Sequence, residues 1–150
     1  MIDYSSEYAK IYDILTLHKN YKLEVDNFVL FLRDIGVSTK KDNLLSIGCG
    51  TGSHEILLAR KDFQIIAIDL SGSMIKEAIL KNRFNNLKFF QKTIQELKVG
   101  KKFTFAYSLF NVINCLASLE ELISFFSSLN KNLEISSNIF FECWNSIPCI

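Results

Sequence analysis

The segment Gly48-Cys49-Gly50-Thr51-Gly52 gathers three of the chain's six glycines into five positions. It follows the apolar run Asn43-Leu44-Leu45-Ser46-Ile47 and precedes a helix-compatible stretch from Ser53 to Ala59. A strand, a turn bare of bulky side chains and a helix in that order let a ligand come close to the backbone. The same order recurs downstream. Phe63 to Ile68 is rich in strand formers and stops at Asp69, and Ser71 is placed to cap a helix carrying Met74, Ile75, Ala78 and Ile79.

Further strands are predicted at Leu87 to Gln91, Phe103 to Leu109 and Ile139 to Cys143. Ser118, with Glu120 and Glu121 behind it, opens a helix whose Leu119, Leu122, Ile123, Phe126 and Leu129 share one face. Ahead of the glycines, Val25, Phe28, Val29 and Leu32 recur at helical spacing, which predicts a helix from near Tyr21 to Arg33, ending toward Gly36. Strands alternating with helices, several of them continuously apolar, specify an α/β fold. The expected architecture is a mostly parallel sheet of about five strands with helices on both faces.

With 49% hydrophobic and 22% charged residues, the 150 residues suffice for one domain, and no linker or repeat divides them. Seventeen Lys and Arg against 16 Asp and Glu leave a formal charge of +1, so no broad attraction to nucleic acid or anionic membrane is expected. The uncharged stretch from Phe103 to Leu119 is interrupted by Thr104, Ser108, Asn111, Asn114 and Ser118, and reads as a buried strand and loop rather than a membrane span. Cys49, Cys115, Cys143 and Cys149 lack the paired spacing of a metal site, and no secretory signal precedes them. Reduced thiols, a cytoplasmic location and no metal are the expectation.

In an open parallel sheet, ligands bind beyond the carboxyl ends of the strands, where strand order reverses. The glycine turn lies at such an end, and the helix after it offers free N–H groups to an anionic group. Asp69, about 20 residues on, is placed to accept hydrogen bonds from ribose hydroxyls. An aspartate there also caps a helix well. The pair points to an adenosine-containing ligand. A nicotinamide cofactor is disfavoured, because the last glycine of G-x-G-x-x-G would fall where Ser53 stands. His54, in the first turn of the helix, is either a proton acceptor or a local backbone contact.

Leu45-Ser46-Ile47-Gly48-Cys49-Gly50-Thr51-Gly52, followed by Ile66-Ala67-Ile68-Asp69-Leu70-Ser71, resembles the first two motifs of class I S-adenosylmethionine-dependent methyltransferases. Phe103-Thr104-Phe105-Ala106-Tyr107-Ser108-Leu109-Phe110-Asn111-Val112-Ile113-Asn114 is similar to the family's fourth-strand motif, and the resemblance covers about residues 4–150. It implies a Rossmann-like fold and S-adenosylmethionine as cofactor. Gly48, Cys49, Gly50, Gly52 and Asp69 would hold that cofactor, with Leu70, Met74, Ile94 and Phe110 around its adenine.

A narrower likeness, in Tyr8-Ala9-Lys10-Ile11-Tyr12-Asp13, Lys19-Asn20-Tyr21-Lys22-Leu23-Glu24 and Phe140-Phe141-Glu142-Cys143-Trp144-Asn145, is to sugar-nucleotide N,N-dimethyltransferases. It implies that Tyr12 and Tyr21 line the cofactor pocket. Asn111, Glu142 and Trp144 would face a small-molecule acceptor, an amine or hydroxyl such as a nucleotide-linked amino sugar. Methyl transfer is an in-line displacement in which orientation can supply ~7–11 kcal/mol, and it requires no metal. An amine acceptor must first be neutral, and Glu142, His54 or a water is placed to take its proton.

The chain also departs from that family. Lys92-Thr93-Ile94 stands where an acid is usual for the adenine amine, leaving the Thr93 hydroxyl as the substitute contact. Phe103-Thr104 replaces Phe-Asp, Leu133-Glu134-Ile135-Ser136-Ser137 lacks the usual turn glycine, and the family runs on through two more strands. The expectation is one cofactor-binding domain over residues 1–150, with N-terminal helices at about 4–35 and a core at about 42–150, incomplete at its C-terminus. Its fifth strand would then be an uncovered apolar edge, open to a second copy or another partner. The alternative to an enzyme is a non-catalytic or partner-dependent S-adenosylmethionine-binding protein.

Overall fold

The computed structural model describes residues 6–143, so Trp144 and its predicted place beside an acceptor lie outside the described residues. Five strands, β1 (Asn43–Ile47), β2 (Gln64–Asp69), β3 (Leu87–Gln91), β4 (Phe103–Ser108) and β5 (Leu133–Phe141), pair in parallel in the order β3-β2-β1-β4-β5. The chain steps outward from β1 to β3, then crosses back to lay β4 along the other side of β1. The carboxyl ends of β1 and β4 therefore border one crevice, the topological switch point.

The helices are α1 (Ser6–Leu15), α2 (Tyr21–Asp34), α3 (Ser53–Ala59), α4 (Gly72–Lys81) and α5 (Leu119–Asn132). Three begin where a side chain meets an otherwise unpaired N–H: Asn20 accepts from Leu23, Ser71 from Met74, and Ser118 from Glu121. Alternation along β1 sends Leu44 into one core and Leu45 and Ile47 into the other. Helices α2, α3 and α4 close the first core with Val25, Phe28, Leu32, Leu58 and Ala78 against Ile65, Phe105 and Tyr107. On the second, α5 contributes Phe125 and Leu129, and the β3–β4 connection lays Ile94 and Leu97 onto Phe103 and Ala106. Among the described residues no helix is long and apolar enough to cross a membrane.

Two expectations change. The buried stripe of α5 is Phe125 and Leu129, with Leu122 half-buried, whereas Leu119, Ile123 and Phe126 are exposed. The sheet ends at β5, where Phe126 still packs edge-on against the Phe141 ring, while Leu119 and Ile123 stay more open at 67% and 58% exposure. Strand β5 also starts earlier than predicted, directly after α5, and stops at Phe141 before Cys143. Leu133 pairs with Phe103, but the next register pair is Phe105 with Asn138, so the chain bulges between them. The bulge takes the place of a glycine turn: Ser136 adopts φ +68°, and Ser137 Oγ donates to the Phe103 and Glu134 carbonyls at 2.9 and 2.8 Å. Ile135, 97% exposed, sits on this bulge, and no described strand pairs with the outer edge of β5.

Candidate functional site

After Ile47 the backbone turns through Gly48, Gly50 and Gly52 at φ +72°, +55° and +76°. Gly48 and Cys49 both donate to the Ile68 carbonyl, at 2.8 and 3.1 Å, which straps the loop to the end of β2. Asp69 completes the strap. Its Oδ2 accepts the Gly50 N–H and its Oδ1 the Ser71 N–H, both at 2.8 Å, so one carboxylate fixes the loop and starts α4. With a further pull from the Leu70 N–H, the carboxylate still keeps acceptor capacity for a ligand donor. Burial pushes this carboxyl above the usual aspartate range, against the pull of the Ser71, Gly50 and Leu70 N–H bonds.

The three glycines do different work. A Cβ on Gly48 would meet the Val112 side chain and one on Gly52 the Phe89 ring, whereas one on Gly50 would meet nothing within 4 Å. Gly50 thus faces open space, while Gly52 serves helix–sheet packing rather than the cleft wall. Cys49 lines the cleft, and burial pushes its thiol well up, with the charges of Glu55 and Asp69 adding to the effect. It stays a protonated, unreactive filler.

Tyr12, Tyr21, Leu109 and Phe110 form the remaining walls, with Ser46 and Glu55 at the floor. Lys19 lies across them, its Nζ 3.6 Å from the Phe110 ring centre and 5.1 Å from that of Tyr21. Although a lysine, it is only 10% exposed, and it pairs with Glu24 at 3.4 Å. Glu24 also meets His54 Nε2 at 2.8 Å, and the Tyr21 ring packs edge-on to His54. Burial pushes the Glu24 carboxyl up, but His54 and Lys19 outweigh it and hold it below the usual range. His54 therefore faces across to α2, not to the neighbouring backbone.

Helix α1 is tied to the loop by Asp13, which sequence reasoning passed over. It accepts Thr51 Oγ1 and Lys81 Nζ, both at 2.5 Å, and Ser53 Oγ at 3.4 Å. Nothing local marks Asp13 as an anchor, since its partners are 38 to 68 residues away. Asp13→Ala is expected to release α1, seen as faster amide exchange over residues 6–15 and a loss of about 1–3 kcal/mol of stability. Unchanged exchange there would remove its anchoring role.

Glu55 was also missed. It is 2% exposed, and its Oε1 accepts Ser46 Oγ at 2.7 Å and Tyr107 Oη at 3.3 Å. Burial pushes its carboxyl above the glutamate range, against the pull of His54, Ser46 and Tyr107. A raised folded-state pKa contributes stability below the unfolded value that is lost as pH rises through the folded one. Glu55→Gln is therefore expected to gain stability over the parent chain when pH is raised from 5 to 8. Melting temperatures at the two pH values check this, and a constant difference would contradict it.

The other predicted positions are spread out. Leu70, 69% exposed, stands at the rim after Asp69, while Met74 and Ile94 are buried. The Thr93 hydroxyl donates to Glu96 at 3.1 Å and caps a short turn. Phe110 and Asn111 take φ of +62° and +64°, a left-handed pair that turns the chain out of β4. The Phe110 N–H donates to Glu142 Oε2 at 3.1 Å, and the Glu142 N–H to the Ser108 carbonyl at 3.0 Å, so Glu142 buttresses that exit. Among the described residues no group of three His, Cys, Asp or Glu could hold a metal ion.

A methyltransferase-domain family model matches residues 44–134. The dTDP-3-amino-3,4,6-trideoxy-alpha-D-glucopyranose N,N-dimethyltransferase of Streptomyces venezuelae is 25% identical over 143 residues, 94% of this chain and 59% of that protein. A ubiquinone biosynthesis O-methyltransferase of Rickettsia canadensis is 34% identical over 84 residues, 55% of this chain and 33% of its own length. Among solved structures, Streptomyces venezuelae DesVI aligns with a TM-score of 0.75 at 26% identity, covering 96% of this chain and 58% of that one. A S-adenosylmethionine-dependent methyltransferase from Clostridium acetobutylicum gives 0.75 at 25% identity, with 91% and 56% covered. The chain spans less than two thirds of the length of each of these proteins.

Proposed function

Because the chain belongs to the methyltransferase domain family, we propose that it binds S-adenosylmethionine in the crevice between β1 and β4 and passes the methyl group to a small-molecule amine or hydroxyl. The observation that carries this reading is the Asp69 carboxylate, which grips Gly50 and keeps acceptor capacity free at the edge of the glycine loop. The residues present fit the cofactor: Asp69 for ribose hydroxyls, open space at Gly50 for close approach, and apolar Leu70 at the rim. When bound, the cofactor supplies a methyl group on a sulfonium. The chain's task is then to orient the acceptor and exclude water, and Tyr12, Tyr21 and Phe110 provide the walls for that.

The names of two relatives, both N,N-dimethyltransferases of dTDP-linked amino sugars, support a nucleotide-linked amino sugar as acceptor. Glu142 or His54 would take the proton from its ammonium, while Asn111 can orient but not deprotonate. A second reading, cofactor binding without catalysis, is favoured by the Thr93 hydroxyl, which is spent on Glu96 where the family usually offers an acid.

Calorimetric titration separates the readings. S-adenosylmethionine and S-adenosylhomocysteine are expected to bind and NAD to give no heat. Silence with both adenosyl ligands would sink the proposal, and binding without methyl transfer to amino-sugar nucleotides or other small amines and hydroxyls would favour the non-catalytic reading.

A further inference from the structure

Glu55 carries one oxygen that the described residues leave unused. Oε1 is shared by Ser46 and Tyr107, but Oε2, fully buried, accepts no hydrogen bond from any described residue. A buried carboxylate oxygen without a donor is among the costlier defects a fold can hold. A structural role alone does not account for it, since a glutamine could serve Ser46 and Tyr107 as well without burying a charge. The cations nearby are committed elsewhere: His54 and Lys19 both pair with Glu24. Glu55 also lines the cleft together with Gly48, Cys49 and its hydrogen-bond partner Ser46.

We propose that Glu55 receives the primary ammonium of the amino-acid end of an adenosyl ligand in this cleft. The proposal rests on the methyltransferase reading and goes beyond it by assigning a residue and an orientation. An ammonium brings three donors and a positive charge to an oxygen that lacks both. The carboxylate of the same amino acid would be repelled by Glu55, so the ligand can enter with its ammonium toward α3 and its carboxylate away from it. The ribose end then extends toward Asp69, on the other side of Gly50.

The test combines one substitution with one ligand deletion, both read by calorimetry without turnover. S-adenosylhomocysteine and its analogue lacking only the α-amino group are titrated into the parent chain and Glu55→Gln. Loss of the charge-assisted bond is expected to weaken S-adenosylhomocysteine roughly 10- to 100-fold in Glu55→Gln, and removing the amine to weaken binding to the parent chain by a similar factor. In the substituted protein the two ligands are expected to bind alike, because the partner is already gone. Equal affinity of the parent chain for both ligands would overturn the proposal, as would an equal loss for both on substitution. The ligand comparison on the parent chain stands even where the variant does not fold. Failure of the parent chain to bind S-adenosylhomocysteine at all would remove the methyltransferase reading and this assignment with it.

Discussion

Replacing Asp69 with alanine is expected to lower the affinity for S-adenosylhomocysteine by roughly 100-fold or more, about 3 kcal/mol, since hydrogen bonds to a charged acceptor carry ~1.5–3 kcal/mol each. Two losses combine. The ribose hydroxyls lose their acceptors, and the Gly50 and Ser71 N–H groups lose the carboxylate that holds loop and helix start in place. Asp69→Asn tells the two apart, because an amide keeps an acceptor for one N–H but turns a donor toward the other. It should bind the ligand less tightly than the parent chain and melt closer to it than the alanine variant does.

The stability change has a sign that can be worked out. Burial raises the Asp69 carboxyl in the folded state, so its contribution to stability is present at low pH and lost as pH rises through the folded-state value. Both variants should therefore look least damaging at neutral pH and most damaging near pH 4. Calorimetry and thermal melting across pH check these expectations. A folded Asp69→Ala that binds S-adenosylhomocysteine as tightly as the parent chain would place ribose recognition on other residues.

The largest effect on folding is expected at Gly52. Its φ of +76° is a left-handed conformation that costs an alanine ~1–2 kcal/mol, and its new Cβ would stand 2.5 Å from Phe89 Cζ and 3.2 Å from the Ala78 Cβ. Phe89 is buried and cannot swing aside freely, so overpacking adds roughly 1–3 kcal/mol more. Together these approach about half the stability of an ordinary domain. Gly52→Ala should melt about 10 °C or more below the parent chain, on the usual scaling for this size. Gly50→Ala is the control. It incurs the same backbone cost without the clash, so it should stay folded and lose ligand affinity instead. Equal melting of the two variants would mean that Phe89 yields more easily than its packing indicates.

The contrast between these glycines shows where sequence and structure divide. The spacing Gly48, Gly50, Gly52 was legible as a ligand turn, because a strand, a glycine-rich bend and a helix are encoded in the one continuous stretch from Asn43 to Ala59. That Gly52 belongs to packing was not legible, since the neighbour that decides it, Phe89, is on another strand. Met74 and Ile94 followed the same rule: apolar residues near the expected cleft became buried positions once α4 and the β3–β4 connection were laid onto the sheet. The face of α5 was misread for a related reason. Its periodicity was real, but burial depends on how far the sheet extends beneath the helix, which no local pattern states.

Asp13 and Glu55 mark the same boundary at the site. Neither was given a role by the motifs, and each acquires meaning from partners brought together across the fold, Thr51 and Lys81 for one, Ser46 and Tyr107 for the other. By itself, then, the sequence determined the order of strands and helices, the caps at Ser71 and Ser118, and the glycine loop with Asp69 behind it. These rest on periodicity and turn chemistry, which act between near neighbours along the chain. The tertiary structure alone decided which glycine faces the cleft, which carboxylates are gripped or left open, and which apolar residues stay exposed. Those outcomes depend on burial and on donors meeting acceptors across the sheet, and such meetings exist only once the chain has packed.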